Sequence, residues 1–197
     1  LKGVIAETSE LLTPEKLIVS VAVDFSLRQL ESLCRARAAR AIPSVASGKG
    51  LGVTLLVLGS GASEDDRSLV FRLFGSIGWP VEVAEEQLEV LSDLTSSGPA
   101  YISAILREFA LEASMRGAGV DKDLAEQLIK KTLIGTAALL EDESFDDLIA
   151  MVATRGGITE EGAKVIEALS PEMFRQLFSA TSAKHRLVKD RIGNVEE

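Results

Sequence analysis

The pattern of apolar residues changes near Thr95, and this change limits the folds that the chain can adopt. Before Thr95, short β-rich runs alternate with helical stretches. The nearly continuous apolar run Leu17–Val23 is typical of a strand buried on both faces of a parallel sheet. After Thr95, apolar residues recur at helical spacing, as in Ala100–Arg116. We therefore predict an α/β domain over residues 1–93 and an all-helical domain over residues 94–197.

Turn and capping residues divide each part into elements. In the first part we expect four strands, Leu17–Val23, Ala38–Ile42, Leu51–Leu58 and Val81–Ala84, and three helices, Val4–Leu12, Leu27–Arg37 and Ser63 to Ile77, with a flexible loop at Ser44–Gly50. Ser63 with Asp66 predicts a capping box. In the second part we expect helices at Ala100–Arg116, Leu124–Leu140, Asp146–Ala153, Thr159–Leu169 and Pro171–Arg191.

Charge and residue counts exclude several classes of function. The net charge of -9 makes a nucleic-acid partner or an anionic membrane surface unexpected, because phosphate binding needs a basic face. A single cysteine, Cys34, excludes an intramolecular disulfide, and we place it in a helix as a small core residue. With His185 as the only histidine, we expect no zinc or iron site and no Ser-His-Asp hydrolase. Without an apolar run of membrane-spanning length, we expect a soluble, cytoplasmic protein.

The segment Thr154–Thr159 is the first candidate binding loop. Gly156 and Gly157 allow positive φ, so successive N–H groups can face one concavity at the start of a helix. Hydroxyls at Thr154 and Thr159 flank the loop, and the helix dipole favours an anion there. The spacing alone leaves two interpretations open, a cradle for a carboxylate ligand or a plain turn with a threonine N-cap.

A second candidate segment is Ser97-Gly98-Pro99, at the start of a predicted helix. Small residues and a proline at a helix start permit close approach of another group, although on its own the segment is explained more simply as a capped helix. The glycines of Gly48–Gly52 precede a strand, and no Gly-x-Gly-x-x-Gly turn occurs in the chain. We expect a fragment rather than a divergent complete protein, because a half-sheet would expose a strand of buried type.

Two motifs together resemble the pyrroline-5-carboxylate reductase family. Ser96-Ser97-Gly98-Pro99-Ala100-Tyr101 is similar to the family's Gly-Ser-Gly-Pro-Ala-Tyr, and Gly156-Gly157-Ile158-Thr159 is similar to its later Gly-Gly-Thr/Ala-Thr. Arg40-Ala41-Ile42-Pro43-Ser44 parallels Arg-x-Met-Pro-Asn. The resemblance implies a Rossmann-like domain without its first βαβ unit, followed by a helical dimerisation domain. It also implies a homodimer that reduces the imine 1-pyrroline-5-carboxylate to proline with NADPH or NADH.

The same resemblance assigns roles to individual residues. Thr159 matches the threonine that hydrogen-bonds the substrate's ring nitrogen and is the expected catalytic residue. The substrate carboxylate would be bound by Thr154, Gly156, Gly157, Ile158 and Thr159. The cofactor would be approached by Pro43, Ser44, Ser97, Gly98 and Pro99. The residue that distinguishes NADH from NADPH would lie in the absent unit.

Three positions depart from the family pattern. Ser44 replaces an asparagine, Arg155 replaces a proline within the loop, and Asp24 replaces a glycine. Arg155 adds positive charge that could strengthen anion binding or indicate another substrate. The loop is also similar to that of competence-operon relatives, so the alternative is a non-catalytic or altered-substrate paralogue that acts as a dimeric binding module.

Overall fold

The computed structural model describes residues 2–22, 25–117 and 119–193, which form two compact units. Of these, the residues up to 99 and from 180 onward form the first unit, and those between 100 and 179 form the second. The strands are β1 (Leu17–Ser20), β2 (Arg37–Pro43), β3 (Gly52–Leu58) and β4 (Gly78–Glu82). The helices are α1 (Lys2–Glu7), α2 (Leu27–Leu33), α3 (Glu64–Gly75), α4 (Leu88–Thr95), α5 (Gly98–Ser114), α6 (Lys122–Leu139), α7 (Phe145–Val152) and α8 (Ile158–Gly193), with short 3₁₀ turns at Val45–Lys49 and Glu85–Gln87. The predicted order, α/β and then all-helical, is confirmed.

The four strands form one sheet in the order β1-β2-β3-β4, and the sheet is mixed. β1 pairs with β2 in parallel and β3 pairs with β4 in parallel, whereas β2 and β3 are antiparallel, with Ala41 opposite Leu56. The expectation of parallel pairing is therefore confirmed for β1–β2 and β3–β4 and wrong for β2–β3. The connection between β2 and β3 is too short for the crossover that a parallel pair requires, so the chain turns back on itself. Val23 and Asp24 lie outside the described residues.

Side chains of the sheet alternate between two apolar clusters, one on each face. On one face Leu55 and Val57 of β3 pack with Leu30 of α2 and Leu88 of α4. On the other face the intervening Leu56 packs with Ala41 of β2 and with two side chains of α3, Val70 and Phe74. Leu30, Leu56 and Val70 are fully buried. This alternation explains the continuous apolar run Leu55–Leu58 of β3, which has helices on both faces.

Two predicted helices, α2 and α3, begin with a side-chain cap, but α2 ends earlier than predicted. Ser63 and Asp66 form the predicted reciprocal capping box at the start of α3, and Ser26 forms another with Gln29 at the start of α2. α2 was predicted to reach Arg37 but ends at Leu33. Cys34 follows in extended conformation and is partly exposed, so its placement inside a helix was wrong. β2 begins at Arg37, which was predicted to be the last residue of the helix.

The second unit consists of helices that leave their apolar side chains exposed. Among its described residues, only the small side chains of Ala110 and Ala125 are buried. The exposed large apolar residues of this unit include Ile102, Ile105, Phe109, Leu128, Leu133, Ile134, Ile149, Val165, Ile166 and Leu169. A helical unit with this surface lacks a core of its own, and apolar area of this kind marks an interaction surface. No helix in the described part of the chain combines the length and apolarity needed to cross a membrane.

The last helix, α8, is longer than the sequence predicts. Two helices, Thr159–Leu169 and Pro171–Arg191, were expected, with Pro171 at the start of the second. The structure instead has one helix with Pro171 in its interior. Proline lacks the N–H that would bond the carbonyl four residues earlier, so its presence here costs stability that the rest of the helix offsets. The expected break was therefore wrong.

Candidate functional site

The loop between α7 and α8 adopts the tight turn that its glycines allow. Gly156 has φ of 73°, a left-handed conformation that favours glycine, whereas Gly157 does not share it. The prediction of positive φ at both glycines was thus right for Gly156 alone. The Gly157 N–H donates to the Thr154 carbonyl at 2.8 Å, which closes the turn immediately before Ile158, the first residue of α8.

Gly157 is required for a different reason, the close approach of Thr154. A Cβ atom at Gly157 would lie 2.5 Å from Thr154 Oγ1 and 2.8 Å from the Thr154 carbonyl oxygen. Both distances are shorter than real contacts allow. Because Gly157 has no side chain, the Thr154 hydroxyl has room to lie against the turn.

The turn already holds a carboxylate, which comes from the chain itself. The Gly156 N–H donates to Glu160 Oε2 at 2.6 Å. The same oxygen lies 3.6 Å from Lys164 Nζ, and this ammonium also pairs with Glu161 at 2.7 Å. A short hydrogen bond from a backbone N–H to a carboxylate is the interaction expected of an anion cradle at a helix start. This role of Glu160 was not predicted from the sequence, although a glutamate in the first turn of a helix is a usable signal.

Several of the predicted substrate contacts remain accessible to a ligand. Thr154, Arg155 and Thr159 are exposed, and Ile158 is 95% exposed. The N–H groups of Ile158 and Thr159 lie in the first turn of α8, where backbone donors have no partner within the helix. These two N–H groups, with the exposed residues Thr154 and Thr159, are the candidate contacts for an oxyanion. The Gly157 N–H, in contrast, is directed to Thr154.

The segment Ser97-Gly98-Pro99 lies in the first unit, at the junction of α4 and α5. The N–H groups of Ser96 and Ser97 both donate to the Ser92 carbonyl, at 2.8 and 3.0 Å, and this ends α4. Gly98 is buried and begins α5, and Pro99 follows at a position where a helix needs no N–H. The Ser96 hydroxyl is buried and makes no hydrogen bond within the described residues. Sequence reasoning missed Ser96, since nothing in the motif separates it from its neighbours.

Pro43 and Ser44 also lie in the first unit, at the end of β2. Ser44 is buried, and its N–H donates to the Val53 carbonyl at 3.0 Å. The expected flexible loop Ser44–Gly50 is instead a 3₁₀ turn at Val45–Lys49. The Ser47 hydroxyl in that turn is buried and, like that of Ser96, lacks a hydrogen bond within the described part of the chain. One such hydroxyl therefore lies three residues after Ser44, and the other lies directly before Ser97.

An ionisable pair of the first unit joins α4 to α8. Asp93 of α4 is buried, and its Oδ1 lies 3.6 Å from Nε2 of His185, near the end of α8. The sequence gives no signal for this pair, because the two residues are far apart in the chain. Among the described residues, no group of three or more histidine, cysteine, aspartate or glutamate side chains could hold a metal ion.

A family model described as pyrroline-5-carboxylate reductase dimerisation matches residues 85–187, just over half of the chain. The chain belongs to the pyrroline-5-carboxylate reductase family. The matched range contains both motifs on which the resemblance was based, Ser96–Tyr101 and the Gly156–Thr159 loop.

Curated relatives extend the similarity into the first unit. Pyrroline-5-carboxylate reductase 3 of Bacillus subtilis (strain 168) is 35% identical over 178 residues, which cover 89% of this chain and 65% of the relative. ComE operon protein 4 of the same organism is 30% identical over 176 residues, which cover 88% of this chain and 64% of that protein. The chain thus spans less than two thirds of the length of these relatives.

Solved structures show that the similarity holds for the fold. A pyrroline-5-carboxylate reductase from Coxiella burnetii, 29% identical, matches with a TM-score of 0.83 over 98% of this chain and 71% of that one. The Plasmodium falciparum pyrroline carboxylate reductase with NADP bound matches with a TM-score of 0.77 over 96% of this chain and 76% of that one. The latter is 20% identical, so it supports the fold alone.

Proposed function

We propose that this chain provides the substrate-binding part of an NAD(P)H-dependent oxidoreductase that reduces 1-pyrroline-5-carboxylate to proline. Membership of the family and the names of its relatives support the reaction class. The observation that carries the substrate assignment is the hydrogen bond from the Gly156 N–H to a carboxylate, that of Glu160. A turn that holds one carboxylate at 2.6 Å has the geometry to hold that of a substrate. The non-catalytic alternative is not favoured by the reductase names among the relatives.

In this proposal the loop orients the substrate through its carboxylate. The N–H groups of Gly156 and of the first turn of α8, together with the hydroxyl of Thr154, bind the two carboxylate oxygens, which fixes the ring in one orientation. Reduction adds a hydride to the imine carbon and a proton to the ring nitrogen. Thr159, one residue past the start of α8, carries the hydroxyl assigned to that nitrogen, and it stabilises the nitrogen as it becomes an amine.

The cofactor is assigned only in part to this chain. NAD(P)H would supply the hydride, and Pro43, Ser44 and Ser97–Pro99 would lie beside the nicotinamide. The buried hydroxyls of Ser47 and Ser96 fit such a role, because a bound group would give each the partner that it lacks within the described residues. The proposed contacts are to the nicotinamide end of the cofactor alone, since the 197 residues contain no Gly-x-Gly-x-x-Gly turn to bind its pyrophosphate.

Self-association through the second unit is part of the same proposal. The unit matches a dimerisation model and buries only two alanines among its described residues, while its large apolar side chains are exposed. A second copy presents the same apolar surface and can cover it in a two-fold arrangement.

The reaction is tested by oxidation of NADPH and NADH in the presence of 1-pyrroline-5-carboxylate, with the full-length protein. We expect turnover in the wild type and a loss of kcat/KM of at least about 100-fold in Thr159→Val, which keeps the shape but removes the hydroxyl. Thr132→Val, at an exposed position of α6, is the matched control and should keep full activity. No turnover in the wild type, or full activity in Thr159→Val, would refute the assignment.

A further inference from the structure

Glu160 accepts the hydrogen bond from the Gly156 N–H, a donor that the proposed substrate carboxylate also needs. Its Oε2 accepts the Gly156 N–H at 2.6 Å, and the positive φ of Gly156 is what turns this N–H toward the carboxylate. One N–H cannot donate fully to two carboxylates. A ligand that takes Gly156 must therefore displace Glu160 or bind beside it.

Electrostatics make the two carboxylates competitors. Two negative charges held a few ångströms apart repel each other, and more strongly at a protein surface than in bulk water. Lys164 offsets part of this repulsion, but its Nζ lies closer to Glu161 (2.7 Å) than to Glu160 (3.6 Å). A bound substrate carboxylate would consequently favour movement of Glu160 away from the turn.

The position of Glu160 allows that movement. Its side chain is about one third exposed, so solvent can take up the released carboxylate. Its main chain lies within the first turn of α8, and the movement needs rotation of side-chain torsions alone. The side chain of Glu161, the adjacent glutamate, pairs with Lys164 and makes no hydrogen bond to the turn within the described residues, which makes it a matched control.

We infer that Glu160 is a built-in competitor that occupies the carboxylate cradle of the Thr154–Thr159 loop and sets the affinity for the substrate carboxylate. The inference rests on the proposed function, because the ligand carboxylate and Glu160 must share Gly156. It assigns Glu160 a role in specificity, since a weakly bound anion cannot displace an internal carboxylate that is already in place.

A purely structural role for Glu160 predicts the opposite result. A glutamate that bonds back to the main chain before a helix stabilises the helix start, so its removal would loosen the turn and weaken binding. Competition predicts tighter binding when the charge is removed. The sign of the change therefore separates the two roles.

The test is titration of the full-length protein with proline, followed by calorimetry and by the amide NMR signal of Gly156. Pyrrolidine, the same ring without a carboxylate, is the control ligand. We expect Glu160→Gln and Glu160→Ala to bind proline about three- to ten-fold more tightly than the wild type, with pyrrolidine unaffected. Glu161→Gln should change the dissociation constant less than two-fold.

The outcomes separate this inference from the proposed function. If proline does not shift the Gly156 amide signal of the wild type, the proposed substrate site is refuted, and the role of Glu160 falls with it. If the wild type binds proline at Gly156 but both Glu160 variants bind it equally or more weakly, the proposed function stands and competition by Glu160 is refuted. A melting temperature measured for each variant shows whether weaker binding accompanies a loosened helix start.

Discussion

Asp66 connects the start of α3 to the first residue of β2. Its carboxylate accepts hydrogen bonds from Arg37 Nε at 2.6 Å and from the Ser63 N–H at 2.8 Å. Arg37 also donates to the carbonyls of Pro14 and Glu15, so one guanidinium ties three segments together. The hydrogen bond from Arg37, followed by that from the Ser63 backbone, lowers the pKa of Asp66 to about 2. The ionised carboxylate therefore stabilises the fold.

This pKa gives a pH-dependent prediction for Asp66→Asn. Because the folded pKa is about 2 and the reference value is 3.8, the contribution of Asp66 is present above pH 4 and is lost as the pH falls through 2. We expect Asp66→Asn to lower the free energy of unfolding by roughly 1–2 kcal/mol at pH 7. The difference from the wild type should shrink between pH 4 and 2, as measured by urea denaturation.

Asp65→Asn provides the comparison for this measurement. Asp65 is exposed in the same first turn of α3, and no hydrogen bond or ion pair of its side chain occurs in the described part of the chain. The substitution should change stability by less than about 0.5 kcal/mol at both pH values. A deficit of Asp66→Asn that stays constant from pH 7 to pH 2 would contradict the role given to its charge.

At the level of elements, the turn between α7 and α8 depends on Gly157. A side chain there would collide with both Oγ1 and the carbonyl of Thr154, and the loop would have to open. We expect Gly157→Ala to weaken proline binding at least about ten-fold, because the anion donors would lose their mutual geometry. Calorimetric titration measures this change directly.

Gly162 is the matched glycine for that experiment. It lies within α8 and has nothing within 4 Å of the position of a Cβ atom. Gly162→Ala should leave proline binding unchanged and raise the free energy of unfolding by about 0.5–1 kcal/mol, since alanine favours a helix over glycine. Unchanged binding in Gly157→Ala would show that the loop tolerates the added methyl group.

Local signals in the sequence predicted some elements well and others badly. The Ser63–Asp66 capping box could be predicted because both partners of its hydrogen bonds lie within four residues. The end of α2 could not, because Arg37 pairs with Leu17 in the sheet, a partner twenty residues away that the local helical pattern does not report. Pro171 misled the prediction for a similar reason. Its local preference for a helix start was outweighed by the continuity of α8 on both sides.

At the level of the whole molecule, the division into an α/β part and a helical part followed from periodicity, but the direction of the strands did not. Strand direction depends on the connection between β2 and β3, which the apolar pattern does not report. The candidate loop was found through its glycines and threonines, whereas its internal carboxylate, Glu160, required coordinates. The Asp93–His185 pair likewise depends on tertiary proximity alone.

The exposed apolar surface of the second unit leads to a prediction about assembly. Phe109 lies on α5 and is 66% exposed, so a large aromatic surface faces solvent in the single chain. If a second copy covers this surface, Phe109→Glu places a charge in an apolar contact and should raise the dimer dissociation constant at least about 100-fold. Sedimentation equilibrium measures the change.

Leu69→Glu separates a specific interface from a general effect of added charge. Leu69 is also exposed, at 47%, but it lies on α3 of the first unit, outside the range matched by the dimerisation model. The same chemical change there should leave the dissociation constant within about three-fold of the wild type. If both variants dissociate equally, charge alone weakens assembly. If Phe109→Glu assembles as tightly as the wild type, the exposed face of α5 is not the contact between copies, and the missing core of the second unit must be supplied by another surface.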